Sequence, residues 1–191
     1  MSETKLKIQG DYPRTITLDN NTAVSLRPMT PADTHRIVIF ARSLPEDDLL
    51  YLRMDITKLN VVAHWAQNLK EGRTVSVLAE VRNEIVGYVS LHHNEVTWQR
   101  HLGEVRLQVG PRYRSQGLGR ALAGEIFTIA RDLGLRKLVA QMTSDQKGAI
   151  ATVERLGFRP EALLRNFVID CADCTRDLII MTYDVPGPWK M

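Results

Sequence analysis

Residues Arg114 to Arg120, RSQGLGR, place two glycines and two arginines where an alternating apolar run, EVRLQV, gives way to ALAGEIFTIARDL, whose apolar residues recur at helical spacing. A helix N-terminus leaves main-chain N–H groups unpaired at the positive end of its dipole, so an anion there is stabilised without any side chain. Gly117 and Gly119 remove the side chains that would hold a phosphate away from those amides. Arg114 and Arg120 add positive charge, and the amides of Ser115, Gln116 and Leu118 complete a run that could seat a pyrophosphate. The plainer reading is a tight strand-to-helix turn that uses glycine for its backbone angles. It is not a Walker loop, because no G-x-x-x-x-G-K-[ST] occurs, and the G-x-G-x-x-G dinucleotide spacing fails at Ala121 and Leu122.

Other reactive side chains carry weaker patterns. Cys171 and Cys174 form a single C-x-x-C, whereas a zinc knuckle normally draws on a second pair or nearby histidines, so two reduced thiols in a loop is the simpler account. His92, His93 and His101 flank NEVTWQR and could serve a metal or a second base, yet solvated loop or strand histidines are the ordinary case. No metal site is expected. Trp98 could line an acceptor groove, and EDDLL, Glu46 to Leu50, could attract a cation or simply form a solvated acidic turn.

These groups need a scaffold, and 191 residues suffice for one good core and hardly for two. Hydrophobic residues make up 44% and charged residues 25%, the balance of an ordinary globular protein. No apolar run reaches the roughly 18 residues of a spanning helix, and MSETKLKIQGDYPRT lacks the apolar segment of a secretory signal, so no membrane association and a cytoplasmic location are expected. The formal charge of +3 is spread without a polybasic block. Nucleic acid is not an expected partner, although a small anion would be welcome.

The elements follow from period and punctuation. TITL and AVSLR alternate around the turn residues DNNT, and Pro28 stops the second strand. A helix starts near Pro31 to Asp33, and a second is predicted over Ile56 to Leu69. VSVLAEV and IVGYVSL form a hairpin, and Glu104 to Val109 is the next strand. Leu118, Leu122, Ile126, Ile129 and Leu133 then share one helical face that Gly134 ends. KLVAQM is a strand, GAIATVERL a short helix, and LLRNFVID with TRDLIIMTYDV a closing hairpin. The order implies an α/β fold: a mixed, mostly antiparallel sheet flanked by helices, with one parallel β-α-β crossover. Residues 1–22 are expected to form an extension carrying the first hairpin strand, 23–185 the main domain, and 186–191 a tail.

That context resembles the GNAT superfamily of N-acetyltransferases. Its (Q/R)-x-x-G-x-(G/A) signature is met by Arg114, Gly117 and Gly119, after a strand ending in Val109, Gly110 and Pro111. The later N-x-x-A-x-x-x-Y-x-x-x-G-F is matched in QKGAIATVERLGF at Ala149, Gly157 and Phe158, with Gln146 in place of Asn and Val153 in place of Tyr. Within the superfamily, Arg27, Pro28, Pro31, Asp33, Leu44, Tyr51 and Arg53 keep the spacing of bacterial Pat-type protein lysine acetyltransferases, while Met54 departs from the aromatic usual there. The closing hairpin is similar to that of amine and amino-acid acetyltransferases, with Cys174 at a frequent glycine.

The resemblance implies acetyl-CoA as co-substrate, its pyrophosphate on the amides of Ser115 to Arg120 and its pantetheine arm paired along Leu107, Gln108 and Val109. Gln146 and Lys147 are further candidate contacts. It also implies an amine acceptor, either a protein lysine or a small molecule. A lysine ammonium, with a reference pKa of about 10.4, must lose a proton before it attacks. Glu104 is the implied general base, and a surface ion pair is the alternative role for it. The Val109 N–H could polarise the thioester carbonyl. The usual acid is lost at Val153, and neither Tyr113 nor Tyr183 is assigned to replace it. An acyl-CoA-binding regulatory module without turnover, and a homodimer, both stay open.

Overall fold

The computed structural model describes residues 11–49, 52–170 and 172–188. Among these, strands β1 (Arg14–Thr17), β2 (Ala23–Pro28), β3 (Thr74–Val81), β4 (Glu84–His92), β5 (Leu102–Val109), β6 (Lys137–Thr143), β7 (Arg159–Ile169) and β8 (Thr175–Asp184) form one sheet. Its order is β1-β2-β3-β4-β5-β6-β8-β7, and every neighbouring pair is antiparallel except β5 with β6. The helices are α1 (Thr34–Arg42), α2 (Glu46–Leu49), α3 (Leu59–Lys70), α4 (Leu118–Asp132) and α5 (Lys147–Arg155). The fold class read from the sequence is the one observed.

Two cores sandwich the sheet. α4 lies on one face against β3, β4 and β5, with Leu118, Leu122, Ile126 and Ile129 buried beside Val89, Leu91 and Leu138. Burying each such side chain contributes roughly 1.5–3 kcal/mol, which is why the three- and four-residue spacing was legible as one helix face. α1 and α3 cover the other face, where Tyr88 packs against the rings of Phe40 and Trp65. β3 is buried on both sides from Thr74 to Ala79 and so reads as a continuous apolar run.

Three local features differ from expectation. α3 begins at Leu59 rather than Ile56, because the Asp55 carboxylate accepts the amide of Thr57 at 3.1 Å and holds residues 55–58 in a turn. The acidic stretch forms the short α2, and Leu50 of EDDLL lies outside the described residues. The strand before the closing turn starts at Arg159, earlier than LLRNFVID suggests. Tyr51, one of the Pat-like positions, Cys171, and the ends of the expected extension and tail, residues 1–10 and 189–191, also lie outside the described residues. Within the extension, the Tyr12 hydroxyl and Arg14 guanidinium both bond the buried Glu125 of α4, tying the first hairpin to the core.

Candidate active site

β5 and β6 run parallel but pair only from Leu102 to Glu104 with Lys137 to Val139. Beyond Glu104 they part, leaving Val105 to Val109 without a β6 partner. The Gly110 N–H donates to the Val86 carbonyl. Alternation along an antiparallel ladder therefore turns Arg106 and Gln108 toward β4 and the peptide groups of Val105, Leu107 and Val109 toward the open edge. An extended ligand could add itself there as a strand.

At the end of that edge the chain turns into α4. Ser115 takes φ 57° and Gly117 φ 86°, the left-handed region that glycine occupies without strain, and Gly117 caps the helix with no side-chain acceptor. The first α4 hydrogen bond is from Ala121 N to Gly117 O at 3.0 Å. Among the described residues no acceptor takes the amides of Ser115 to Arg120. Leu118 is fully buried and anchors the turn, while Ser115, Gly117 and Arg120 are exposed. A methyl group on Gly119 would sit 3.7 Å from Leu107 Cδ2 and 3.9 Å from Val109 Cγ2, so the glycine leaves open a notch that a Cβ would partly fill.

Two predicted contacts are placed differently. The Arg114 guanidinium leaves the turn: its Nε donates to the Val109 carbonyl at 3.0 Å and its Nη2 pairs with Asp48 of α2. Gln146 faces its own helix entrance, where Oε1 accepts the Thr143 amide at 3.0 Å, a capping contact rather than a free side chain. Gln116 donates to the Arg112 carbonyl at 2.8 Å, and its Oε1 is buried without a partner.

Glu104 lies on the α1/α3 face, because a Cβ on its neighbour Gly103 would strike Leu91, Leu135 and Leu138 on the α4 side. Its two oxygens are both engaged. Oε2 meets Arg53 Nη1 at 2.7 Å and Oε1 meets Arg106 Nε at 2.8 Å. Arg53 Nη1 also donates to Gln141 Oε1 of β6 at 3.0 Å, so it bridges the two parting strands. Sequence reasoning treated Arg53 as a spacing marker and missed Arg106 and Gln141; the i, i+2 alternation from Glu104 pointed to Arg106, and nothing local pointed to the other two.

His92 pairs across the ladder with Glu104, and its ring lies between the hydroxyls of Ser90, 2.9 Å away, and Thr74, 3.1 Å away. Burial, then the nearby Arg106 and Arg53, push its pKa down to about 3, so it is neutral and a poor proton acceptor at neutral pH. Burial drives the Tyr88 hydroxyl up to about 12, which keeps it protonated. His93 is buried, Trp98 is exposed, and Cys174 is an exposed free thiol at the hairpin turn. Tyr183 stacks on Phe127 at 4.5 Å, a packing role. Among the described residues no group of three His, Cys, Asp or Glu side chains could hold a metal, and no helix is long and apolar enough to cross a membrane.

The model of the acetyltransferase (GNAT) family matches residues 41–158, well over half of the chain and the whole of this site. The chain belongs to the GNAT family. Curated relatives include the ribosomal protein bS18-alanine N-acetyltransferase of Escherichia coli, 33% identical over 79 residues, which are 41% of this chain and 53% of that one. A probable N-acetyltransferase of mouse, family 8 member 5, is 31% identical over 84 residues, 44% of this chain and 37% of that one. The GNAT chain thus spans between about a third and about half of the curated relatives it matches. Among solved structures, the GNAT domain of S. lividans PAT superposes with a TM-score of 0.75 at 18% identity over 91% of this chain and 99% of that one. Salmonella typhimurium yncA, solved with acetyl-CoA, gives 0.73 at 20% over 88% and 97%. At these identities the structures establish the GNAT fold.

Proposed function

We propose that this protein transfers the acetyl group of acetyl-CoA to a primary amine, with Glu104 as general base. The observation that carries this reading is the continuity of one feature: unclaimed amides at residues 115–120 open onto the unpaired edge of β5, which leads back to Glu104. The residues fit the co-substrate. The α4 N-terminus and its glycines would hold the diphosphate, and Leu107 with the Val109 N–H would offer peptide groups to the amide-bearing arm, the Val109 carbonyl being held by Arg114. Acetyl-CoA, when bound, supplies an activated acyl carbon. Two of the relatives and neighbours support this by their names, an alanine N-acetyltransferase and a structure holding acetyl-CoA.

The chain's own task is to make the amine neutral where it attacks. At pH 7 on the order of one lysine-like amine in a thousand or fewer is unprotonated, so a positioned carboxylate that takes the proton on commitment speeds the step. Glu104 can do so once Arg53, the more exposed of its two partners, swings aside, while Arg106 retains the other oxygen. The outward-turned Val109 N–H can stabilise charge developing on the acyl oxygen. A CoA thiol leaves readily as thiolate, so the Val153 position need not carry an acid.

A protein lysine as acceptor rests on the Pat-like spacing alone. Arg27 bonds Asp33 at 2.6 Å and Glu80 at 2.7 Å, and Asp33 accepts the Thr30 amide at 2.8 Å, so this set anchors the start of α1. Its retention speaks for packing, not for acceptor choice. The double engagement of Glu104 favours one second reading, a module that binds acyl-CoA without turning it over. Thiol release from acetyl-CoA over a panel of amines and a lysine peptide, with acetylated product identified by mass, tests both. Binding without release of thiol by any acceptor would overturn catalysis and leave the module.

A further inference from the structure

We infer that the acceptor is a small α-amino acid whose carboxylate is taken by Arg53, and this rests on the acyl-transfer reading above. The polar layer at the parting of β5 and β6 holds two guanidiniums, Arg53 and Arg106, against one carboxylate, Glu104. The groups packed around them from the other strands bring no compensating charge: His92 is neutral, Tyr88 is protonated, and Ser90, Thr74 and Gln141 are uncharged. The remaining Arg106 contact, Nη1 to the Met54 thioether at 3.0 Å, is to a weak acceptor. In the ion pairs of the described residues of this layer, two guanidiniums thus share one carboxylate beside the open edge of β5.

A simple cationic amine would add a third cation and would have to expel Arg53 without offering that guanidinium a replacement. A zwitterion adds no net charge. Its carboxylate can take over the Arg53 fork, a planar donor pair suited to that group, and Glu104 Oε2 is thereby released to its ammonium. Arg53 Nη1 and Glu104 Oε2 are 2.7 Å apart, so an anion and an amine that replace this contact with Arg53 displaced only slightly sit on neighbouring positions of one molecule. An α-amino acid has one carbon between them. A lysine side chain of a protein has no such anion. Arg53 is thus a specificity-determining residue: it holds the base in check until a molecule carrying the right pair of groups arrives.

The test compares an equimolar pool of free L-amino acids with the pool of their methyl esters, which keep the amine and lose the carboxylate, as acceptors for thiol release from acetyl-CoA by the full chain. The free acids are expected to react with kcat/KM at least about tenfold higher, although ester amines are less basic and intrinsically easier to deprotonate, since a site built around a polar group rejects an analogue lacking it. Arg53→Gln should collapse the acid-to-ester ratio toward one, and Arg53→Lys should restore part of it, with acetyl-CoA affinity measured alongside. Esters or a lysine peptide reacting as fast as the acids, or a ratio unmoved by Arg53→Gln, would overturn the carboxylate assignment and leave acyl transfer standing. Absence of thiol release from either pool and from the peptide would remove both.

Discussion

The two ends of the β5 edge are built on opposite principles. At residues 115–120 the main-chain amides have no acceptor among the described residues and are fixed in direction by the α4 N-terminus. Around Glu104 both carboxylate oxygens are already engaged, and by side chains that can move. Rigid, unclaimed donors suit a ligand group common to every turnover, because no contact must break when it arrives. Engaged side chains suit a variable partner, since only a molecule able to replace their contacts opens them. On the function proposed above, the contrast matches the invariant co-substrate to the first end and acceptor selection to the second.

Substitutions can break or sharpen this contrast. The largest effect is expected for Glu104→Gln, which should lower kcat by roughly 10²–10⁴ while acetyl-CoA affinity, measured by calorimetry, changes little; an unchanged rate removes the base assignment. Next, Gly117→Glu puts a side chain on a residue at φ 86° and a negative charge beside the Asp19 carboxylate, 3.6 Å from the new Cβ. Acetyl-CoA affinity should fall by about 100-fold or more as the seat loses both shape and sign. Gly119→Ala is milder and more telling. Its Cβ would make only ordinary contacts with Leu107 and Val109, so thermal stability should hold while acetyl-CoA binding weakens by about fivefold to twentyfold, the signature of a glycine kept for a ligand rather than for the turn.

The smallest effect concerns pH. His92 is held neutral with its pKa lowered from 6.5 to about 3, so the unfolded chain binds more protons than the folded one between these values. The stabilisation is complete above pH 6.5 and is lost as pH falls toward 3, up to about 2 kcal/mol between pH 7 and pH 5. Urea unfolding at the two pH values should show that His92→Gln has the flatter dependence. Equal slopes in the two proteins would mean that His92 titrates freely.

Much of this was legible in order and period. The apolar spacing from Leu118 to Leu133 marked α4 because burial repeats every turn, and Gly134, at φ 69°, ended it as a C-terminal glycine should. RSQGLGR marked the glycine turn into α4 because the residues that make it are adjacent in the chain. The turn at Asp55 hid the true start of α3, since a side chain bonding its own backbone leaves no periodic mark. Arg114 misled for a related reason: its charge was visible, but Asp48, 66 residues away, decided where it points.

The sequence by itself determined the elements, their order, the single parallel crossover and the glycine turn, all properties of hydrogen bonds and packing repeats that close over a few residues. Only the tertiary structure decided that Arg53 would span to Gln141, 88 residues on, and rest on Glu104. Such contacts depend on where two strands part and which loop crosses the gap, and a carboxylate's neighbours in space are set by that register rather than by its neighbours in the chain.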